Sequence, residues 1–307
     1  MIRTVGADEL RRGLSTRAAI DALEIAFAEE DPAAAGPPRS TVLTRAGSLL
    51  LMPATGDRGV GVKLVTISEG NPAIGAPLIQ ASYVLFDAAT QTPEAVLDGT
   101  ELTAIRTAAV SGLATRHLAN HEARRLVLFG AGTEATSHLD AMVAVRPVEE
   151  VVVVSRTPER AARLVERAAS MGLRAWTGGP EAVEDADLVC TCTTSSTPVF
   201  DGALLADGSH VNAVGAYLPE ARELDTRTVA RAKLVVETRE VAMTEAGDVL
   251  VPIAEGAIGP AHLVADLAAV VRGQAVRSSP EDITVFVSVG MAFEDLVVAR
   301  AAIEALA

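Results

Sequence analysis

Leu126-Val127-Leu128-Phe129-Gly130-Ala131-Gly132-Thr133-Glu134-Ala135 is the stretch whose reading decides the fold. Four apolar residues in a row suit a strand buried on both faces. Gly130 then permits a tight turn, Gly132 lets the backbone approach a pyrophosphate, and the small Ala135 lets the following helix pack on the strand. That helix runs through Leu139 and Met142, and its first turn offers free N–H groups and the positive end of a dipole to phosphate. The G-x-G-x-x-A spacing alone is a weak signal. A strand before it, a helix after it and a further βα series behind it are the context that marks a dinucleotide site. Gly130, Ala131, Gly132, Thr133, Glu134 and Ala135 are therefore expected to bind cofactor.

Outward from this turn the chain alternates strand and helix. Strands are expected at 126–129, 151–155, 188–191, 210–214, 234–236 and 283–286, with helices such as 159–171 between them. That is the sequence form of a doubly wound parallel sheet. Upstream, Ser15 and Thr16 can cap an amphipathic helix, and strand-like runs follow at 48–52, 60–65 and 80–86 with turn residues between them. Strands in succession without helices suggest an antiparallel sheet. An Ala-rich helical stretch covers 102–118, a polar junction covers 117–125, and 291–306 reads as a helix that returns to the first domain. The fold class is α/β: a Rossmann-type parallel sheet (121–291) plus an antiparallel α+β platform domain (1–120 with 292–307).

The second strand of the series ends Val154-Ser155-Arg156-Thr157. About 20–25 residues past the glycines, an NAD site carries an acid for the ribose hydroxyl. No acid is present; Ser155, Arg156 and Thr157 offer a cation and hydroxyls suited to a 2′-phosphate. The pattern favours NADP(H) over NAD(H).

Composition removes several classes of function. A net charge of −14 with 3% aromatic residues is unsuited to nucleic acid, which needs basic stripes and stacking rings. No apolar run reaches the roughly 18 residues of a membrane span, and the N-terminus lacks the apolar stretch of a signal peptide, so a cytoplasmic location is expected. Cys190 and Cys192 have no partners at metal spacing and read as small core residues; no metal is expected. Of 26 basic residues only Lys63 and Lys233 are lysines. A chain that writes Arg nearly everywhere keeps Lys in Gly61-Val62-Lys63-Leu64-Val65, which marks Lys63 for attention.

The segments Pro37-Pro38-Arg39, Leu51-Met52-Pro53-Ala54, Gly61-Val62-Lys63, Asp98-Gly99 with Thr103-x-x-Arg106-Thr107-Ala108-Ala109, Gly130-x-Gly132-x-x-Ala135-x-x-His138, Pro219-x-x-Arg222-Glu223-Leu224-Asp225 and Ser288-Val289-Gly290-Met291-Ala292-x-Glu294-Asp295 resemble, in order, the ornithine cyclodeaminase/μ-crystallin family. The resemblance implies a two-domain homodimer whose first domain carries the substrate contacts and the dimer interface. It implies that Arg39, Lys63 and Arg106 clamp a substrate carboxylate. Guanidiniums can do so through charge-assisted bonds, and a lysine adds a compact charge whose pKa can shift for proton transfer. Thr107, Thr193, Val214, Gly215 and Ser288 complete the expected cofactor-binding set.

The chain departs from the family's ornithine-cyclising members at two acids. Leu50 stands where they carry a glutamate, and Tyr217 stands in place of an aspartate, with no acid between Gly215 and Pro219. Val287 replaces a residue that is often charged. These changes point to a less polar substrate. The expected activity is NADP(H)-dependent reduction of a ketimine, such as a cyclic imino acid of the Δ1-pyrroline-2-carboxylate type. Lys63, Tyr217 or a bound water would be the catalytic proton donor, and Tyr217 reads equally as a pocket wall. The alternatives are a cyclodeaminase or amino-acid dehydrogenase for a non-ornithine amino acid, and a non-catalytic NADPH-dependent small-molecule binder.

Overall fold

The computed structural model describes residues 2–307. Its elements run β1 (Arg3–Val5), α1 (Ala7–Gly13), α2 (Thr16–Glu29), β2 (Ser40–Thr44), β3 (Gly47–Gly56), β4 (Gly59–Ile67), β5 (Ile79–Phe86), β6 (Pro93–Asp98) and α3 (Gly99–Leu118). Then come β7 (Arg125–Phe129), α4 (Thr133–Val145), β8 (Glu150–Val154), α5 (Pro158–Ser170), β9 (Arg174–Thr177), β10 (Leu188–Thr191), β11 (His210–Ala213) and α6 (Thr226–Arg231). The last are β12 (Lys233–Val236), α7 (Arg239–Glu245), α8 (Gly247–Ala254), β13 (Leu263–Asp266), α9 (Leu267–Val271), β14 (Thr284–Val287) and α10 (Ala292–Ala305). Two compact units result, Met1–Arg106 with Met291–Ala307, and Thr107–Gly290. The boundary falls inside α3, not in the polar stretch 117–125 where the sequence suggests a junction. That stretch only links the helix to β7. Among the described residues no helix is long and apolar enough to cross a membrane.

In the first unit the sheet order is β1-β6-β5-β4-β3-β2. All neighbours are antiparallel except β1, which adds parallel to β6 at the edge. Burial alternates along β3 and β4, as the two-residue period of a strand requires. The inner face carries a cross-strand row of Met52, Lys63, Tyr83 and Leu97. Helix α10 lies against β3, β4 and β5. It is joined to α2 by an edge-to-face pair, Phe27 with Phe293, 5.3 Å between ring centroids. The Ser15 hydroxyl caps α2 by accepting from the Ala18 N–H. On the opposite face Leu49, Leu51, Val62, Leu64, Val84 and Val96 form an apolar surface that is only half-buried. Beside it, Leu43 of β2 is 85% exposed.

The second unit is a parallel sheet in the order β13-β12-β14-β11-β10-β7-β8-β9. Strands β7 and β8 are apolar on both faces, so one run feeds two cores, whereas β11 sets His210 and Asn212 on one face. Val127, Phe129, Val152, Val189 and Val211 join one cluster. Leu126, Leu128, Val151, Val153 and Leu188 join the other. The chain order reverses between β7 and β10, and such a switch point is where open α/β sheets bind ligands, outside the carboxyl ends of the strands.

Candidate active site

The expected cofactor residues gather along one edge of the parallel sheet. The Gly130–Ala135 turn follows β7, Ser155–Thr157 follow β8, Thr193 follows β10, Val214 and Gly215 follow β11, and Ser288 follows β14. These five strands are neighbours in the order β8-β7-β10-β11-β14. Gly130 has φ +104°, and a Cβ there would lie 2.4 Å from the Cys192 carbonyl oxygen, so only glycine fits. At Gly132 a Cβ would meet nothing within 4 Å. Gly132 is the N-cap of α4, and no side chain caps the first turn there. Open space before uncapped amides suits a pyrophosphate. Ala135 is fully buried against the sheet. His138, one turn on, is buried between the Glu134 carbonyl and the Ser111 hydroxyl. Burial pushes its pKa down to about 4, so it is a neutral bridge between α4 and α3. Thr107 is buried on α3.

Two buried carboxylates tie these loops together. Glu223 accepts from the Thr193 N–H (2.7 Å), the Thr193 hydroxyl (2.6 Å) and the Gly215 N–H (2.7 Å). It thus joins the loop after β10 to the loop after β11. Burial raises its pKa and these bonds pull it back. Asp248 supports it, accepting from the N–H groups of Glu223 and Leu224; burial pushes Asp248 up to about 7. Glu237 plays the same part for the loop after β14, accepting from the Ser288 hydroxyl and the N–H groups of Val289 and Gly290. Sequence reading missed Glu223 and Glu237 as organisers. The signal available for Glu237 is an acid directly after the apolar strand Leu234-Val235-Val236. Tyr217 sits half-buried in the loop after β11, two residues past the anchored Gly215, and Arg156 is exposed. Val287 packs in an apolar core cluster.

In the first unit, Lys63 and Arg106 meet on one carboxylate. Lys63 Nζ lies 2.9 and 2.8 Å from Asp295 Oδ1 and Oδ2. Arg106 Nε donates to Asp295 Oδ1 at 3.1 Å, and its Nη1 donates to Glu294 Oε2 at 3.0 Å. Lys63 is 2% exposed, Arg106 6%, and both acids 0%. Burial pushes the Lys63 pKa down to about 8; Asp295 pulls it up and Arg106 adds to the depression. Both acids stand in the first turn of α10, where the helix dipole favours negative charge. Arg39 directly precedes Ser40, whose strand partner is Leu51. Continued by one residue, that register sets Arg39 beside Met52, the partner of Lys63. Leu50 packs with Met52 and Val65 against Ala81 and Ala292, so its place on the inner face is apolar. Asp295 and Glu294 had no assigned role in the sequence reading.

Glu223→Gln puts an amide donor where one N–H now donates. Charged hydrogen bonds of this kind contribute about 1.5–3 kcal/mol each. Hydrogen exchange at the Thr193 and Gly215 amides is expected to quicken by about tenfold or more, with the β7 amides unchanged. Unaltered exchange at both loop amides would contradict the bracing role.

The sequence profile of the ornithine cyclodeaminase/mu-crystallin family matches residues 4–307. A Delta(1)-pyrroline-2-carboxylate reductase of Bacillus cereus is 41% identical over 258 residues, 82% of this chain and 79% of the relative. The structure of Thermococcus litoralis Delta(1)-pyrroline-2-carboxylate reductase in complex with NADH and L-proline superposes with a TM-score of 0.93 at 34% identity, over 99% of this chain and 97% of that one. An archaeal alanine dehydrogenase dimer with bound NAD superposes with a TM-score of 0.93 at 31% identity, over 99% of this chain and 95% of that one. This chain belongs to the ornithine cyclodeaminase/mu-crystallin family.

Proposed function

We propose that the protein is a nicotinamide-dependent ketimine reductase acting on a cyclic 2-imino acid of the Δ1-pyrroline-2-carboxylate type. The observation that carries this reading is the pair Lys63 and Arg106 held side by side on Asp295. Arg106 and Arg39 hold the substrate carboxylate, which orients the imine and supplies the proximity advantage. Lys63, with a pKa near 8, is protonated at neutral pH and gives its proton to the imine nitrogen. Tyr217 is the second candidate donor or a pocket wall. The Gly130–Ala135 turn and the first-turn amides of α4 hold the pyrophosphate. When bound, the reduced nicotinamide supplies the hydride for the imine carbon. The apolar Leu50 ledge disfavours an ornithine-like distal ammonium, which needs an acid.

Reduced-cofactor oxidation across a panel of cyclic imino acids and of 2-oxo acids with amines tests the reading. Turnover is expected with a five- or six-membered cyclic 2-imino acid. Ammonia release from an amino acid without net cofactor reduction would replace the reading with a cyclodeaminase, and net reduction of NAD(P)+ by an amino acid would replace it with a dehydrogenase. Arg106→Ala should lower kcat/KM by about a hundredfold or more, consistent with the loss of a charge-assisted clamp; unchanged kinetics would remove the clamp.

For the cofactor, the absence of an acid at the end of β8 together with the exposed Arg156 supports NADP(H), although the two solved relatives carry NADH and NAD. Arg156→Ala should weaken use of NADPH by about tenfold and leave NADH unchanged. A wild-type preference for NADH would overturn this assignment.

The half-buried apolar face of the first sheet and the exposed Val42 and Leu43 of β2 support a homodimer through that face. Sedimentation should report twice the 31.7 kDa of the chain, and Leu43→Asp should shift it toward monomer. A monomeric wild type would refute the dimer. The free Cys190 and Cys192 suit the reducing cytoplasm.

A further inference from the structure

We propose that Asp295 is a positioning residue that couples substrate binding to proton delivery by holding Lys63 and Arg106 on one carboxylate. The inference rests on the reductase reading for the roles of those two cations. Its basis is geometric. Asp295 Oδ1 accepts from both Lys63 Nζ and Arg106 Nε, so β4 and α3 are fixed relative to each other through a single atom of α10. Glu294 holds the other side of the Arg106 guanidinium, and the α10 backbone sets the two acids as neighbours. The charged and titratable groups around Lys63 include Asp295 and Glu294 from α10, Arg106 from α3, Tyr83, its cross-strand partner on β5, and Arg39, which the β2 register sets beside Met52. Tyr83 is buried, and burial raises its pKa well above the ordinary value, so it stays neutral. Asp295 is thus the contact that keeps a buried lysine charged against desolvation and against Arg106.

The step this serves is a simple exchange. The proton leaves Lys63 Nζ for the imine nitrogen while the hydride reaches the imine carbon, so the C=N double bond becomes C–H and N–H. Lysine is left neutral and is re-protonated from water. A lysine donates only in its protonated, charged form, and its share of that form is lost as pH rises through its pKa. Removing Asp295 lowers that pKa, so the loss begins at lower pH.

The chain has only two lysines, Lys63 and Lys233, so lysine side-chain NMR of isotope-labelled protein gives two signals, with Lys233 as reference. In Asp295→Asn the Lys63 midpoint should fall from near 8 by about one pH unit or more. The alkaline limb of kcat/KM should move down by the same amount, and cofactor affinity, read by nicotinamide fluorescence, should hold. A Lys63 midpoint unchanged in Asp295→Asn overturns the proposal. Should that variant fail to fold, Asp295→Glu keeps the charge and displaces it by one methylene; kcat about tenfold lower at unchanged cofactor affinity supports the coupling, and wild-type kcat overturns it. The two readings fail separately. A wild type that reduces no imino acid, with Lys63 still shifted in Asp295→Asn, removes the reductase and leaves Asp295 only as the residue that holds Lys63 charged. Turnover with an unshifted Lys63 does the reverse.

Discussion

A carboxylate taken out of water must be met by cations or by N–H groups, or it will protonate. Asp295 meets this demand with two cations from elements distant in sequence, Lys63 and Arg106. The consequence runs both ways. The acid is stable only because the cations are there, and the cations sit in an apolar interior only because the acid is there. Replacing one partner of such a pair leaves an uncompensated buried charge, which typically costs about 3–5 kcal/mol. The arrangement therefore holds β4, the first part of α3 and α10, all within the first unit, to one geometry.

The second unit solves the same problem with amides. Glu223 and Glu237 face N–H groups of loops that follow neighbouring strands, not cations. Those loops cannot pair with one another, because strand pairing ends at the sheet edge. Each carboxylate closes the gap left where the ladder stops, and each fixes a loop without filling the space before the Gly130 turn. The chemistry differs from the first unit in a way that suits the task. A cation bound to Glu223 would be contested by a dinucleotide phosphate, whereas backbone amides bound to Glu223 shape the loop and carry no net charge.

The parts of this structure visible in the sequence are those written locally. The Gly130–Ala135 turn depends on ten consecutive residues, and the central strands of the parallel sheet announce themselves as apolar runs. Lys63 stood out because lysine is scarce here. What could not be read was written across distance. Asp295 is 232 residues from Lys63 and Glu223 is 30 from Thr193, and an acid's partners at such separations leave no spacing to detect. The short edge strands β1, β9 and β13 were missed for a different reason. Three or four residues at a sheet edge need bury only one face, so Arg174-Ala175-Trp176-Thr177 carries no run and too little alternation. Helix α3 was legible as a helix, yet the unit boundary inside it was not, because unbroken helical periodicity gives no mark where the contacts of the chain change.

Charge balance in the first unit narrows what the proposed clamp can accept. Lys63 and Arg106 are matched by Asp295 and Glu294 before any ligand enters. Arg39, half-buried at the start of β2, adds positive charge beside this set. A ligand with one carboxylate and a neutral imine brings a single negative charge to this set. A diamino acid brings the same carboxylate plus a distal ammonium, and the inner face offers Leu50, Met52 and Val65 where an acid would have to stand. Leu50→Glu would not repair this simply, because the new carboxylate would face an apolar ledge and favour its protonated form. The proposed preference for a neutral imine thus rests on the apolar patch of Leu50, Met52 and Val65 beside the charged set, and a single added acid is insufficient to reverse it.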